Sequence, residues 1–175
     1  APVMSHFAKH FPRFHVDIVR ANTASLVQML RDRELDALVV DIRSMNPAPD
    51  LKVSSIVEMD GTFMCRKGHP LAAKSKVTFA QMAVFPIAST PLSDETARIL
   101  VERYGERAHP DVLVTYSSDE ISHLIQVTGQ TDTVLLAIRA CAPEMLEIQT
   151  APPLKTKARF GLVTIANKSA AMSLP

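Results

Sequence analysis

Aromatic and sulfur-containing side chains that often mark binding sites and secreted proteins are scarce in this sequence. It contains no tryptophan, only two tyrosines and only two cysteines. With so few aromatic platforms for stacking, a small aliphatic or single-ring ligand is favoured over a nucleotide. Cys65 and Cys141 lie far apart, in or beside apolar segments, which is typical of reduced, buried thiols and not of a disulfide framework. We therefore expect a cytoplasmic protein.

An excess of one charge and long hydrophobic runs are also lacking. Nineteen basic residues face eighteen acidic ones, which leaves a net charge of +1 and no strong field to hold nucleic acid or an acidic membrane surface. The longest uncharged apolar run, Met82–Ala88, is far shorter than the roughly 20 residues of a membrane helix. The chain is predicted neither to bind DNA by itself nor to span a membrane.

The start of the sequence carries no recognisable leader. A basic segment followed by an apolar stretch, which marks a secretory signal, is not found there, and the first residue is not methionine. Phe7 and Phe11 continue a helical pattern that begins at Val3, so the chain opens in the middle of a helix. We therefore expect an excised or processed fragment of a longer protein.

What the sequence does contain is a regular alternation of helical and extended patterns. Of its 175 residues, 47% are hydrophobic and 21% are charged, which predicts a packed fold and not a disordered chain. The predicted helices are 3–11, 23–34, 79–85, 94–104 and 118–128, and the predicted strands are 14–19, 35–42, 53–59, 62–66, 86–90, 112–116, 133–138, 145–149 and 159–166. Two sets of strand–helix units, separated by the turn at 68–70, indicate an α/β fold.

Local signals mark several helix ends. Thr78–Gln81 and Ser117–Glu120 have the form of capping boxes, Ser93 is the expected N-cap of the helix 94–104, and Gly105 is expected to end that helix. The last long strand follows the second set of units, and we expect it to return to the first sheet.

Hydroxyl side chains stand where several strands give way to helices. Such positions are occupied by Thr23, Ser89–Thr90 and Ser118, and the unpaired N–H groups of a helix start attract anions. In an open α/β sheet the ligand site lies at the carboxyl ends of parallel strands. The pattern predicts a site for a small carboxylate, although each hydroxyl taken alone is also explained as a helix cap.

Other candidate sites are weaker. His6 and His10 are spaced for a shared metal, but no third ligand is evident, so no metal and no cofactor are predicted. Ser118 and His123 lie on one helix, and nothing places them as nucleophile and base, so an enzyme is not predicted. The acidic pairs Asp94–Glu95 and Asp119–Glu120 stand in first helical turns, where they are expected to stabilise the helices.

The order of several short segments resembles the effector-binding domain of LysR-type transcriptional regulators. The segments are Thr23 with Leu26 and Leu30, Glu34–Val39, His69–Ala72, Ser118, Thr131–Asp132 and Val134–Ile138. The resemblance implies a two-lobed type 2 periplasmic-binding-protein-like fold, truncated at both ends. Residues 1–64 and 159–175 then form the first lobe, without its first strand and last helix, and residues 65–158 form the second.

The same resemblance implies a function. A small-molecule effector binds in the interlobe cleft, and the matching cleft positions are Thr23, Pro86, Ile87, Ala88, Ser89 and Ser118. The protein forms a homodimer or tetramer in which residues 3–20 of one subunit pack on the helix 94–104 of another, with Phe7, Phe11, Leu100 and Tyr104 as candidate contacts. DNA is bound only through an N-terminal helix-turn-helix domain that this chain lacks. A free-standing solute-binding protein of the same fold is the alternative.

Overall fold

A computed structural model of the chain describes residues 2–166. The predicted tail of the first lobe at 167–175 lies outside the described residues. The helices are α1 (Pro2–His10), α2 (Thr23–Arg31), α3 (Phe79–Met82), α4 (Asp94–Tyr104), α5 (Pro110–Leu113) and α6 (Ile121–Gln130). The strands are β1 (Leu38–Asp41), β2 (Leu51–Cys65), β3 (Val77–Thr78), β4 (Ile87–Ser89), β5 (Val114–Ser117), β6 (Val134–Ile138), β7 (Leu146–Glu147), β8 (Thr150–Ala151) and β9 (Thr156–Ile165).

Most strands belong to one mixed sheet. Its order is β1-β9-β2-β6-β4-β5, with β7 added beside β2, while β3 and β8 form a small separate sheet. Strand β4 runs parallel to both β5 and β6, as expected for strands joined through helices. The pairs β1–β9, β9–β2 and β2–β6 are antiparallel. The α/β class predicted from the sequence is confirmed.

Separate hydrophobic cores divide the chain into two lobes. In the first lobe, α2 packs on β1 and β9 around the buried side chains of Leu30, Leu38, Val40 and Val163. In the second lobe, α3, α4 and α6 cover β4, β6 and the end of β2, and its core contains Phe63 and Leu136. The prediction that the last long strand returns to the first sheet is confirmed, because β9 pairs with β1. The division at residues 64 and 159 stays a prediction.

Strands β2 and β9 connect the two lobes. They pair from Leu51 opposite Ile165 to Gly61 opposite Thr156, with a bulge between Ser54 and Val57. The two separate strands predicted at 53–59 and 62–66 are therefore one continuous strand, which corrects that prediction. Glycine at position 61 allows the strand to continue. A Cβ there would stand 2.7 Å from Thr156 Cγ2, which is too close, and the glycine hydrogen avoids this contact.

The segment 14–19 is not a strand, which overturns a second prediction. It runs between α1 and α2 without strand pairing in the described part of the chain, and Phe14, Ile18 and Val19 are exposed. The Phe14 ring instead lies 5.7 Å from that of Phe11 and 6.3 Å from that of Phe7, measured between ring centroids. Alternating side chains make a strand only where a neighbouring strand supplies hydrogen-bond partners.

The predicted strand 112–116 is displaced by a short helix. Pro110 opens α5 at its first position, where a missing N–H costs nothing, and β5 begins only at Val114.

The predicted caps of α3 and α4 are confirmed. Thr78 and Gln81 form the predicted capping box of α3, and α4 begins after the N-cap Ser93 and ends at Gly105.

Replacing Gly161 by alanine is expected to lower the free energy of unfolding by about 1–3 kcal/mol. A Cβ at Gly161 would stand 2.6 Å from Ile42 Cγ2 and 2.8 Å from Val53 Cγ1, and β-branched side chains have little freedom to give way. Gly129→Ala is the matched control, because a Cβ there meets nothing within 4 Å and a helix gains about 0.4–1 kcal/mol from the change. Urea unfolding of both variants measures the contrast, and equal effects would contradict the close approach.

Candidate functional site

Two neighbouring cavities open between the lobes. A wide cavity of about 640 Å³ lies between Val19–Asn22 of the first lobe and Asp119–Ile121 of the second. An inner cavity of about 180 Å³ lies between Asp41 and Arg43 on one side and the start of α4 on the other. Four residues line both cavities: Thr90, Ala137, Ile138 and Phe160. Thr90 and Ile138 follow or end the parallel strands β4 and β6, which is where α/β sheets bind ligands.

The first helix start at the wide cavity is that of α2. Asn22 is the N-cap and accepts a 2.9 Å hydrogen bond from the Ser25 N–H, so Thr23 is already the first helical residue. The Ser44 hydroxyl donates to the Asp41 carbonyl at 2.7 Å, so the Thr23 hydroxyl is the donor in its 3.0 Å bond to Ser44 Oγ. Asn22 lines the wide cavity, whereas the next residue, Thr23, is not part of its lining.

The second helix start is that of α6, and its cap differs from the predicted one. The capping box expected at 117–120 is wrong, because Glu120 is the N-cap and its carboxylate accepts from the N–H and the hydroxyl of Ser122. Ser118 Oγ accepts a 3.0 Å bond from the Glu120 N–H. The helix therefore starts at Ile121, three residues later than predicted, and the Glu120 carboxylate binds a different N–H group, that of Ser122.

The residues predicted at the end of β4 lie beneath the cavities. Ile87, Ala88 and Ser89 are fully buried in the sheet, and the Ser89 hydroxyl makes hydrogen bonds to the carbonyls of Leu136 (3.0 Å) and Thr90 (2.9 Å). Pro86 precedes them and is half-buried. None of the four lines either cavity, so their role in effector binding stays a prediction. The next residue in the chain, Thr90, is the one that reaches both cavities.

Two arginines of the first lobe reach acidic residues of the second, a feature that the sequence analysis did not find. Arg20 donates a hydrogen bond to the carboxylate of Glu120, and this bond and the hydrogen bond from Ser122 lower the pKa of Glu120 to about 2. Arg43 Nη1 lies 3.2 Å from Glu95 Oε2 in the first turn of α4. Arg20 and Glu120 are 100 positions apart and Arg43 and Glu95 are 52 apart (95 − 43), so neither pair leaves a local pattern from which a single sequence predicts it.

Arg43 is also held within its own lobe. Its Nη2 lies 2.7 Å from Asp41 Oδ2 and its Nε lies 3.1 Å from Asp41 Oδ1, and only 14% of the Arg43 side chain is exposed. Burial raises the pKa of Asp41, but hydrogen bonds and the positive charge of Arg43 outweigh burial and leave the pKa below its usual value. The inner cavity is therefore closed at one side by a shielded network of three charged groups.

Other candidate chemistry is not assembled. No group of three metal-binding side chains occurs among residues 2–166, and the rings of His6 and His10 lie 4.7 Å apart on α1. Burial raises the pKa of both cysteine thiols, including that of Cys141 beside the wide cavity. No helix in the described part of the chain has the length and apolar character needed to cross a membrane.

A two-lobed α/β fold with a cleft at the carboxyl ends of its strands defines a ligand-binding domain of the type 2 periplasmic-binding-protein kind. The family model of the LysR substrate binding domain matches residues 1–173. The chain therefore belongs to the LysR substrate-binding domain family.

Individual relatives agree with this assignment. The chain is 27% identical over 175 residues to an SDS degradation transcriptional activation protein of a Pseudomonas species, covering 95% of this chain and 56% of that protein. It is similar to a putative LysR family regulator of Pseudomonas aeruginosa (TM-score 0.69, 14% identity, 96% of this chain and 59% of that one). It is also similar to the regulatory domain of CcmR from Synechocystis PCC6803, solved with 2-PG (TM-score 0.68, 16% identity, 98% and 83%). The chain thus spans little more than half of the first relative's length.

Arg43→Gln is expected to lower the free energy of unfolding at pH 7 by about 1–3 kcal/mol, because it leaves the half-buried carboxylate of Asp41 without its partner. The pKa of Asp41 is depressed in the folded state, so its contribution is present above the unfolded pKa of 3.8 and is lost as pH falls through the folded value. The difference between wild type and variant should therefore shrink in acid.

Denaturant unfolding at pH 7 and at about pH 3 measures this difference. Arg107→Gln, which removes an exposed guanidinium that makes no ion pair with a described residue, is the control and should change stability by less than about 0.5 kcal/mol. A variant as stable as wild type at pH 7 would show that the network does not stabilise the fold.

Proposed function

We propose that this chain is the effector-sensing domain of a LysR-type transcriptional regulator and that it binds a small carboxylate-bearing metabolite in the wide cavity. The observation that carries the proposal is the position of this cavity. It is bordered by the start of α2 from one lobe and the start of α6 from the other. A ligand held there touches both lobes at once, so its binding is able to change their relative orientation.

The lining of the wide cavity supports an organic acid. The N–H groups of Thr23 and Ala24, in the first turn of α2, find no acceptor within residues 2–166, and such groups favour an anion. Arg20 lies at the same rim, where it is paired with Glu120 and can turn to a ligand only by leaving that partner. Apolar side chains also line the cavity, including Leu26 and Phe160. An aliphatic or single-ring acid matches this combination of polar and apolar lining.

The wider biological role follows from the family. We propose that the intact protein binds DNA through an N-terminal helix-turn-helix domain in the cytoplasm, and that effector binding changes the spacing of its DNA-binding domains without making or breaking a bond. The named relatives are transcriptional regulators, and the CcmR domain was solved with 2-PG. These names do not favour the alternative of a free-standing solute-binding protein. We place the lobe boundaries as predicted, at 1–64 with 159–175 and at 65–158.

A panel of small organic acids, each paired with its neutral amide, should reveal the ligand class by thermal shift. Binding to the folded state alone at 100 times the dissociation constant adds about 2.7 kcal/mol of stability. Thr90→Val keeps the side-chain shape but removes a hydroxyl shared by both cavities, so it should reduce the shift. Thr164→Val, outside the cavities, should leave it unchanged. Acids that stabilise no more than their amides would contradict the proposal.

We also propose a homodimer or tetramer built through α1 and α4. Two of the predicted contacts are corrected, because Leu100 is fully buried in its own lobe and Tyr104 stacks on Phe79 there. The outward face of α4 instead presents Ala97 and Val101 as a small apolar centre in a shallow hollow of about 380 Å³, which is otherwise lined by polar side chains such as Arg98 and Glu102. The exposed apolar side chains of α1, Val3 and Met4 among them, have the character that this face requires.

Val101→Asp should weaken that assembly, because it places a charge at the centre of the apolar contact. Light scattering during size-exclusion chromatography measures the mass of the particles across a dilution series. Val127→Asp is the control, since Val127 is exposed on α6 and lines neither the α4 hollow nor the cleft. Equal masses for the Val101→Asp variant and wild type at every concentration would rule out this interface.

A further inference from the structure

Both arginines that line the cleft are already engaged by carboxylates of the protein. Arg20 is bound to Glu120 across the wide cavity, and Arg43 is bound to Asp41 and Glu95 beside the inner one. Asp119 also lines the wide cavity and makes no ion pair with a described residue. The cleft therefore offers no unpaired cation among residues 2–166. An anionic ligand that uses an arginine must first displace a carboxylate of the chain.

The two arginines differ in how easily such an exchange occurs. The side chain of Arg43 is shielded and has two carboxylate partners, one of them in its own lobe. The side chain of Arg20 is 63% exposed and has a single partner, Glu120, in the opposite lobe. Exposed ion pairs are weak because water competes for both members. Arg20 is therefore the arginine whose ion pair a ligand replaces, while Arg43 stays bound to Asp41 and Glu95.

Breaking the ion pair between Glu120 and Arg20 leaves the other hydrogen bonds at the start of α6 in place. Its carboxylate also accepts a 2.7 Å hydrogen bond from the Ser122 hydroxyl and a 3.4 Å bond from the Ser122 N–H. Its own N–H is held by Ser118 Oγ. The helix start thus stays capped when Arg20 leaves. What disappears is the contact between the first lobe and the second.

We propose that Glu120 is a built-in competitor for the effector's anionic group: it occupies Arg20 in the empty domain, and the ligand's anion replaces it there and releases one link between the lobes. This inference rests on the proposed function, because it concerns the same cavity. It assigns Arg20 as the anion-binding residue and Glu120 as the group that sets how strongly an anion must bind. One exposed pair of this kind biases an equilibrium by only about 1.5-fold to fivefold, a range that a ligand easily overcomes.

The distance between the lobes tests the link without any effector. Spin labels at Lys52→Cys and Lys76→Cys, both exposed and on different lobes, report this distance by pulsed electron resonance in the full-length protein. Cys141→Ser removes the half-buried thiol, and excess unlabelled protein removes distances between subunits. Arg20→Gln and Glu120→Gln should each increase the population with separated lobes by about 1.5-fold to fivefold.

The double variant separates a direct pair from two independent effects. If Arg20 and Glu120 act only through each other, combining both substitutions should give the distances of either single variant. Glu120→Gln keeps an oxygen that caps α6, so a changed helix does not explain its effect. Glu144→Gln, which neutralises another exposed acid of the second lobe, should match wild type. Single variants with wild-type distances would overturn the link.

Sodium sulfate is the probe for the exchange itself, with sodium chloride at the same ionic strength as its reference. Sulfate should move wild type toward the distances of Glu120→Gln and should leave Arg20→Gln unchanged. Distances that respond to the variants but not to sulfate would overturn the exchange. Failure of every acid in the thermal-shift panel, with the distances changing as expected, would instead overturn the proposed ligand class and leave the link in place.

Discussion

The pairing of β2 with β9 is the contact on which the rest of the structure depends. These two strands cross from one lobe to the other, so they connect the lobes through continuous backbone pairing. Ser54 and Val57 flank a bulge in β2, and bulges increase the local twist of a strand pair. Phe160 on β9 and Ile138 on β6 line both cavities. A change in the twist of this strand pair therefore changes the positions of side chains that line the cleft.

Electrostatics of the cleft follow from the cost of leaving half-buried charges alone. An unpaired guanidinium or carboxylate in such a position loses hydration that nothing replaces. Arg43 and Asp41 are shielded and meet this requirement, whereas Glu95 and Glu120 are more exposed and stand in or at the first turn of a helix, where the helix dipole favours a negative charge. Stabilisation of a helix and connection of the lobes thus come from the same side chain.

Local chemistry was predictable where neighbouring residues decide the outcome. The caps of α3 and α4 and the turn at Gly105 depend on a few adjacent side chains, and they are present as expected. The strand expected at 14–19 depends on a hydrogen-bonding neighbour that its own residues do not supply. The contact of Arg20 with Glu120 joins residues a hundred positions apart, and it depends on the arrangement of two lobes that no local window contains.

Thr90 marks the point at which the chain leaves β4 and reaches the cleft. Ser89 is the last residue of β4, a strand with β5 on one side and β6 on the other, and its hydroxyl is used by carbonyls inside the sheet. A side chain inside such a sheet is covered on both faces, because helices pack there. In β4 the residue after the strand, Thr90, is therefore the one that reaches the cavities, whereas Ala137 and Ile138 reach them from the last two positions of β6. The sheet order decides which of these positions is covered, and the sequence alone does not show that order.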